Sequence, residues 1–362
     1  MAPKIRLIIA GGGTGGHVFP MLAVARAVEE AAPGSEILFI GTKRGIESRL
    51  VPDSGYRINY LKIGGLKGKS VLSRAVTLVQ LPWAIIASAF TIAGFGPHVV
   101  LGGGGYASGP VGLAASMLRV PLALLEVNSL PGFTNRKLAR RAKLSFIAFE
   151  ETSQRMTCPT IVTGNPVRGE VRGEPIKAGS GPLRLLIIGG SQGAVGLNSL
   201  VIDALPFLKQ ADCGLMITHQ AGKLDYERVR DEYANARVEA RVEPFIADMA
   251  SAYSNAELVI CRAGATTVAE LVAARRPAIL VPLPSAADNH QEFNAMTLVG
   301  AGGGMLLRQN ESDGKRLVKE ILGWYDRRHE LPLMGEALGK LDHPDAAERI
   351  AAELIALAGK GY

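Results

Sequence analysis

Cysteine is scarce. The three residues Cys158, Cys213 and Cys261 stand singly in a chain of 362, with no C-x-x-C pair and no Cys/His cluster at metal spacing. That excludes disulfide scaffolds and zinc modules and fits a reducing cytosol. No D-x-D pair occurs either, so a diphosphate site built on a carboxylate-held metal is not expected. The 43 glycines show no three-residue period, which removes collagen-like readings. The start, Met1-Ala2-Pro3-Lys4-Ile5-Arg6, runs straight into an apolar segment too brief for a signal-peptide core. One long stretch lacks charge: no Asp, Glu, Lys or Arg occurs between Ala75 and Leu118, and 75–95 is almost long enough to span a bilayer.

What is present points to two ordinary globular domains, because 48% hydrophobic residues in a chain this long exceed one compact core. Charge divides unevenly between them. Up to Asn165 there are 18 Lys/Arg against 8 Asp/Glu, and from Pro166 onward 22 against 25. A basic half suggests an anionic partner, the alternative being a solvated basic face. Apolar runs at 5–10, 37–40, 99–101 and 122–125, then 185–188, 215–218, 258–261 and 278–281, alternate with helical patterns, as in βαβ units around parallel sheets. The pattern Ile5-Arg6-Leu7-Ile8-Ile9-Ala10-Gly11-Gly12 returns as Leu183-Arg184-Leu185-Leu186-Ile187-Ile188-Gly189-Gly190. An α/β fold of two Rossmann-like domains facing across a cleft follows, with a linker over 164–182 that is richest in Gly and Pro from Gly173 to Pro182. The expected division is 1–165, 166–342, and a C-terminal helix over 343–362 packing back on the first domain.

Glycine loops close the strands. Gly11-Gly12-Gly13-Thr14-Gly15-Gly16-His17 lies between a strand and a helical pattern, where backbone N–H groups can cradle a phosphate. It satisfies G-x-G-x-x-G, yet the second strand ends Phe39-Ile40-Gly41-Thr42 without the acidic residue a dinucleotide ribose needs, so NAD is disfavoured. A second loop, Gly102-Gly103-Gly104-Gly105-Tyr106-Ala107-Ser108, carries in its four consecutive glycines a backbone entropy cost that a mere connection would not need. In the second half, Gly189-Gly190-Ser191-Gln192-Gly193-Ala194 and Arg262-Ala263-Gly264-Ala265-Thr266-Thr267-Val268-Ala269-Glu270 follow strands. Thr266 and Glu270 share a helix face, so the N-terminus could hold a diphosphate while the carboxylate accepts ribose hydroxyls. The alternative is an acidic residue placed by the helix dipole.

These segments, with Thr163-Gly164-Asn165-Pro166-Val167-Arg168, resemble the MurG family of bacterial peptidoglycan glycosyltransferases along essentially the whole chain. The resemblance implies a GT-B fold and inverting transfer of N-acetylglucosamine from UDP-GlcNAc to the 4-hydroxyl of the muramoyl sugar of lipid I. It also implies no metal or other cofactor, no nucleic acid, and a peripheral place on the cytoplasmic face of the bacterial membrane beside cell-division or elongation proteins. It assigns donor contacts to Thr14, Gly15, Gly16, Asn128, Arg168, Ser191, Ile246, Ala265, Thr266, Thr267, Val268, Ala269, Glu270 and Gln291, with Ile246 beside the uracil and Glu270 on the ribose. The acceptor diphosphate is expected at Gly13, Gly103, Gly104, Gly105 and Tyr106. One departure is Leu125-Glu126-Val127-Asn128, where the family reads His-Glu-Gln-Asn, so a role for that histidine does not carry over. A UDP-GlcNAc 2-epimerase and a non-catalytic, nucleotide-gated membrane-surface protein are the alternatives.

Inversion requires the acceptor hydroxyl to lose its proton as it attacks, which makes His17 the best candidate general base and Glu126 its competitor. The uncharged segment, with Val76, Val79, Trp83, Ile86 and Phe90, cannot cross the membrane without placing the two first-half glycine loops on opposite sides. It is expected to be either a core helix or an interfacial one. Lys62, Lys67, Lys69 and Arg74 before it, and Arg136, Lys137, Arg140, Arg141 and Lys143 elsewhere in the basic half, favour docking on an anionic surface.

Overall fold

The computed structural model describes residues 3–64, 71–167, 169–176, 179, 181–190, 193–211 and 213–359, with the backbone course alone for 71–78. Lys67, Lys69, Arg168, Ser191 and Gln192 lie outside the described residues, as does the side chain of Arg74. The chain forms two compact units: Met1–Val167 with His343–Tyr362, and Arg168–Asp342.

The first unit holds a seven-stranded parallel sheet. Its strands are β1 (Arg6–Ala10), β2 (Glu36–Gly41), β3 (Arg57–Tyr60), β4 (Val99–Gly102), β5 (Leu122–Glu126), β6 (Leu144–Ile147) and β7 (Thr160–Val162). They lie in the order β3-β2-β1-β4-β5-β6-β7. The helices are α1 (Gly15–Ala31), α2 (Glu47–Asp53), α3 (Val71–Phe95), α4 (Gly105–Met117) and α5 (Phe133–Leu138). Leu7, Ile8, Ile9, Val99, Val100 and Leu101 are fully buried, as expected of central strands covered by helices on both faces. Because β1 and β4 are neighbours, with Ala10 opposite Gly102, the order reverses between them. A doubly wound sheet binds ligands at the carboxyl ends of strands flanking such a reversal, and both first-half glycine loops emerge there.

The second unit repeats the plan with six parallel strands: β8 (Leu183–Ile188), β9 (Leu215–Gln220), β10 (Ala240–Glu243), β11 (Leu258–Cys261), β12 (Ala278–Leu280) and β13 (Gly304–Leu306). They lie in the order β10-β9-β8-β11-β12-β13, which reverses between β8 and β11. Its helices are α6 (Val195–Ala211), α7 (Tyr226–Ala236), α8 (Met249–Asn255), α9 (Ala265–Ala274), α10 (His290–Gly300), α11 (Gly314–Asp326) and α12 (Leu331–Gly339). The Gly/Pro-rich stretch is fastened to this unit. The Arg172 guanidinium donates to both Asp342 oxygens at 2.8 and 2.7 Å, and Arg276 donates to the Glu174 carbonyl at 2.8 Å. The last helix, α13 (Ala346–Gly359), packs on α1 of the first unit through a face that includes the buried Ile350, Leu354 and Leu357.

Helix α3 carries two apolar faces. Ala84, Ser88 and Ile92 turn inward and are buried. Val79, Trp83, Ile86 and Phe90, spaced four, three and four residues apart, form a second stripe with exposures of 69, 70, 47 and 76%. The helix is therefore neither wholly core nor wholly surface. Among the described residues, no helix is long and apolar enough to cross a membrane.

Candidate active site

In the first unit the two glycine loops touch backbone to backbone. Gly12 and Gly13 take φ of +142 and +97°, and Gly104 and Gly105 take +82 and +79°, conformations that side chains resist. A Cβ on Gly105 would stand 2.5 Å from the Gly12 carbonyl oxygen, so only glycine lets the loops meet. Thr14 caps α1 and Gly104 caps α4, which brings two helix N-termini side by side. Gly15, Gly16 and His17 form the first turn of α1, and Tyr106, exposed, lies in that of α4. His17 donates its backbone N–H to the Thr14 carbonyl at 3.2 Å. Its half-buried ring borders Gly104, where an added Cβ would meet Cε1 at 3.4 Å and Nδ1 at 3.5 Å. First-turn amides lack intrahelical acceptors, so they and the summed dipoles favour an anion here.

Glu126 closes β5 and is 1% exposed. Its Oε1 accepts from the Asn128 backbone N–H at 3.0 Å and from Asn128 Nδ2 at 3.1 Å; its Oε2 accepts from the Gly132 N–H at 2.8 Å and from Asn135 Nδ2 at 2.9 Å. Four donors on one carboxylate make it a brace for the 126–135 loop. Asn128 is accordingly held by Glu126 and buried. Sequence reasoning placed Ser108 at the end of the second glycine loop without a role of its own and passed over Asn135. Ser108 Oγ and Asn135 Oδ1 are buried and have no hydrogen-bond partner among the described residues. Both border the second loop: an added Cβ on Gly102 would lie 2.8 Å from Ser108 Oγ, and one on Gly104 would lie 3.7 Å from Asn135 Nδ2. A buried orphan acceptor is costly unless something else satisfies it, and nothing in the sequence marks either residue.

Gly13, expected at the acceptor diphosphate, donates its N–H to Glu47 Oε2 at 2.8 Å.

In the second unit the corresponding pair of loops follows β8 and β11. Gly190 and Gly193 have φ of +85 and +76°, and a Cβ on Gly193 would lie 2.5 Å from the Ala221 carbonyl oxygen. Gln220, at the end of β9, donates to the Gly190 carbonyl at 3.1 Å, and Asn198 donates to that of Ala221 at 2.8 Å. Behind them His219 is fully buried between Tyr233 Oη and Asn198 Oδ1, each 3.2 Å away, and burial lowers its pKa to about 4.

Gly264 caps α9, whose first turn begins at Ala265. Thr266 Oγ1 is buried with no hydrogen-bond partner among the described residues. Thr267 is half-buried, while Val268 and Ala269 are buried in the interior. Glu270, one turn after Thr266 and half-buried, accepts a 3.1 Å hydrogen bond from Tyr253 Oη. Ile246 is half-buried beside the exposed Phe245, ahead of α8. Gln291, in the first turn of α10, accepts from the Leu283 N–H at 2.9 Å and so shapes the loop after β12. Arg262 is 7% exposed and spends Nη1 on the Val281 and Pro282 carbonyls and Nη2 on Gln309 Oε1, while its Nε has no partner among the described residues. It is a buried charge held by neutral acceptors, and burial lowers its pKa. Each unit thus collects its own set of expected residues at the carboxyl ends of its sheet.

The same two halves are matched by family models: the glycosyltransferase family 28 N-terminal domain over residues 7–147 and its C-terminal domain over 184–350. A relative from Anaeromyxobacter sp. (strain Fw109-5) is 44% identical, covering 97% of this chain and 94% of its own. One from Myxococcus xanthus (strain DK1622) is 43% identical over 96% and 91%. Both are named UDP-N-acetylglucosamine–N-acetylmuramyl-(pentapeptide) pyrophosphoryl-undecaprenol N-acetylglucosamine transferase. The crystal structure of Acinetobacter baumannii MurG superposes with a TM-score of 0.81 at 33% identity, over 97% of this chain and 99% of that one. A UDP-N-acetylglucosamine 2-epimerase from Listeria monocytogenes, with a TM-score of 0.68 at 16% identity over 98% and 96%, shares the fold alone. The two Rossmann-like domains are those of the GT-B fold, and the chain belongs to glycosyltransferase family 28 and, within it, to the MurG family.

Proposed function

We propose that this protein transfers N-acetylglucosamine from UDP-GlcNAc to the 4-hydroxyl of the muramoyl sugar of undecaprenyl-diphospho-muramoyl-pentapeptide, with inversion at the anomeric carbon. The observation that carries the reading is the glycine-bearing loops and helix N-termini at the reversal point of each sheet, in a chain of this family. In the second unit the N-terminus of α9, with Thr266, receives the donor diphosphate, and Glu270, oriented by Tyr253, accepts the ribose hydroxyls. Arg168 and Ser191, expected to complete that site, lie outside the described residues. In the first unit the paired N-termini of α1 and α4 take the acceptor diphosphate.

His17 removes the acceptor proton as the hydroxyl oxygen bonds to the anomeric carbon. The bond from that carbon to the diphosphate oxygen breaks, and UDP leaves with the electron pair. Helix N-termini stabilise the developing charge, with Arg262 adding a fixed positive field, so no metal is assigned to the reaction. We further place the protein peripherally on an anionic cytoplasmic membrane face, beside cell-division or elongation proteins, with the α3 stripe as its apolar anchor and the exposed Lys137, Arg140, Arg141 and Lys143 as its charges.

The test is turnover with a lipid I analogue in the presence of EDTA, with the anomeric configuration of the product read by NMR. A β-linked disaccharide formed at an unchanged rate is expected. UDP-GlcNAc epimerised without transfer would overturn the reading, and chelator-sensitive transfer restored by Mg²⁺ would overturn its metal-free step.

A further inference from the structure

Glu47 opens α2 after the run Gly41-Thr42-Lys43-Arg44-Gly45-Ile46, a setting that reads as a solvated turn. It is 1% exposed. Its Oε2 accepts the Gly13 N–H at 2.8 Å, and its Oε1 accepts the Thr42 N–H at 2.9 Å and the Thr42 hydroxyl at 2.8 Å. Three glycines wall it in: a Cβ on Gly41 would come within 2.6 Å of Glu47 Cγ, and Cβ atoms on Gly12 or Gly45 would overlap the carboxyl group itself. Among the described residues no Lys or Arg forms an ion pair with it. A buried carboxylate without a cation is expensive, and this one lies directly beneath the loop assigned to an anionic ligand, which it repels.

We propose that Glu47 is a positioning residue for the acceptor half of the reaction. Its carboxylate turns the Gly13 N–H inward and fixes Gly12 and Gly13 at their positive φ. That sets where the first turn of α1, with His17, begins and how Gly12 meets Gly105. The inference rests on the reading that this loop serves the acceptor.

Glu47→Gln keeps the volume but sets an NH₂ group against either the Gly13 or the Thr42 N–H. The expected result is a fall in kcat/KM for a lipid I analogue of roughly 10–100-fold, with donor KM and calorimetric UDP affinity within about twofold of wild type. Glu47→Asp, which keeps the charge on a shorter arm, should fall between the two. Thr42→Val leaves the carboxylate in place and removes one donor, so it reads the same contact if the Gln variant does not fold; an acceptor-specific loss of about threefold or more is expected. Acceptor kcat/KM within about twofold of wild type in either variant, or a loss shared equally by UDP binding, overturns the proposal. Wild-type enzyme inactive on the analogue would instead sink the functional reading, and this inference with it.

Discussion

Gly105 stands against Gly12 so closely that its own missing Cβ would lie 2.5 Å from the Gly12 carbonyl oxygen. The two glycine loops of the first unit are therefore a single object, and Gly105→Ala must push them apart. Gly13 has an equally forbidding φ of +97° but open space around it, so Gly13→Ala tests backbone strain alone. The Gly13 variant should lose about 1–2 kcal/mol of stability. Gly105→Ala should in addition lower acceptor kcat/KM about 10²-fold, measured against an unchanged donor KM.

His17→Ala should lower kcat roughly 10²–10⁴-fold with donor KM little changed, the range for removing a general base. Single-turnover rates would check this. A fall of less than about tenfold would leave His17 only as a neighbour of the diphosphate.

Glu270→Ala should cost about 1.5–3 kcal/mol in donor kcat/KM, the range for a hydrogen bond to a charged group. Tyr253→Phe removes only the donor that orients the carboxylate and should cost about 0.5–1.5 kcal/mol. Equal kinetics in Glu270→Ala and wild type would reduce Glu270 to an acid placed by the helix dipole.

The buried His219 predicts a pH dependence of stability. Its folded-state pKa of about 4 lies below the ordinary 6.5, so the unfolded chain takes the proton more readily. Its contribution is intact above pH 6.5 and is lost as pH falls from 6.5 toward 4, by about 3 kcal/mol in all. Thermal unfolding of the second unit should steepen across that window in wild type and flatten in His219→Gln.

Membrane docking should be salt-sensitive and selective for anionic vesicles. Trp83→Ser with Phe90→Ser should weaken it by removing two exposed anchors, and Arg140→Glu with Arg141→Glu should weaken it by about 1 kcal/mol or more per charge. Activity on a short-chain soluble acceptor should persist in both. Vesicle binding equal for neutral and anionic lipids would refute the electrostatic part.

The central strands were legible in the sequence because both of their faces are covered, so Leu7-Ile8-Ile9 and Leu258-Val259-Ile260 read as unbroken apolar runs. The strands that went unread include β3 (Arg57–Tyr60) and β10 (Ala240–Glu243), sheet edges whose mixed composition resembles a loop. Helix starts could be placed from Gly-rich loops that only close backbone approach explains. Which carboxylates are occupied could not. Glu126 looks like a catalytic acid in sequence, and only the folded path of Asn128, Gly132 and Asn135 reveals the four donors gathered on it.

Helix α13 packs on α1, some 320 residues earlier in the chain, so the first unit is assembled from both ends of the sequence. A ribosome that has released all of β1–β7 has not released the helix that covers α1. The face of α1 that α13 covers must wait through synthesis of the entire second unit before it is complete. The second unit, by contrast, is contiguous and can close as it emerges. Truncation before Ala346 should therefore destabilise the first unit while leaving the second folded, and the late step in refolding should be the return of the C-terminal helix to α1.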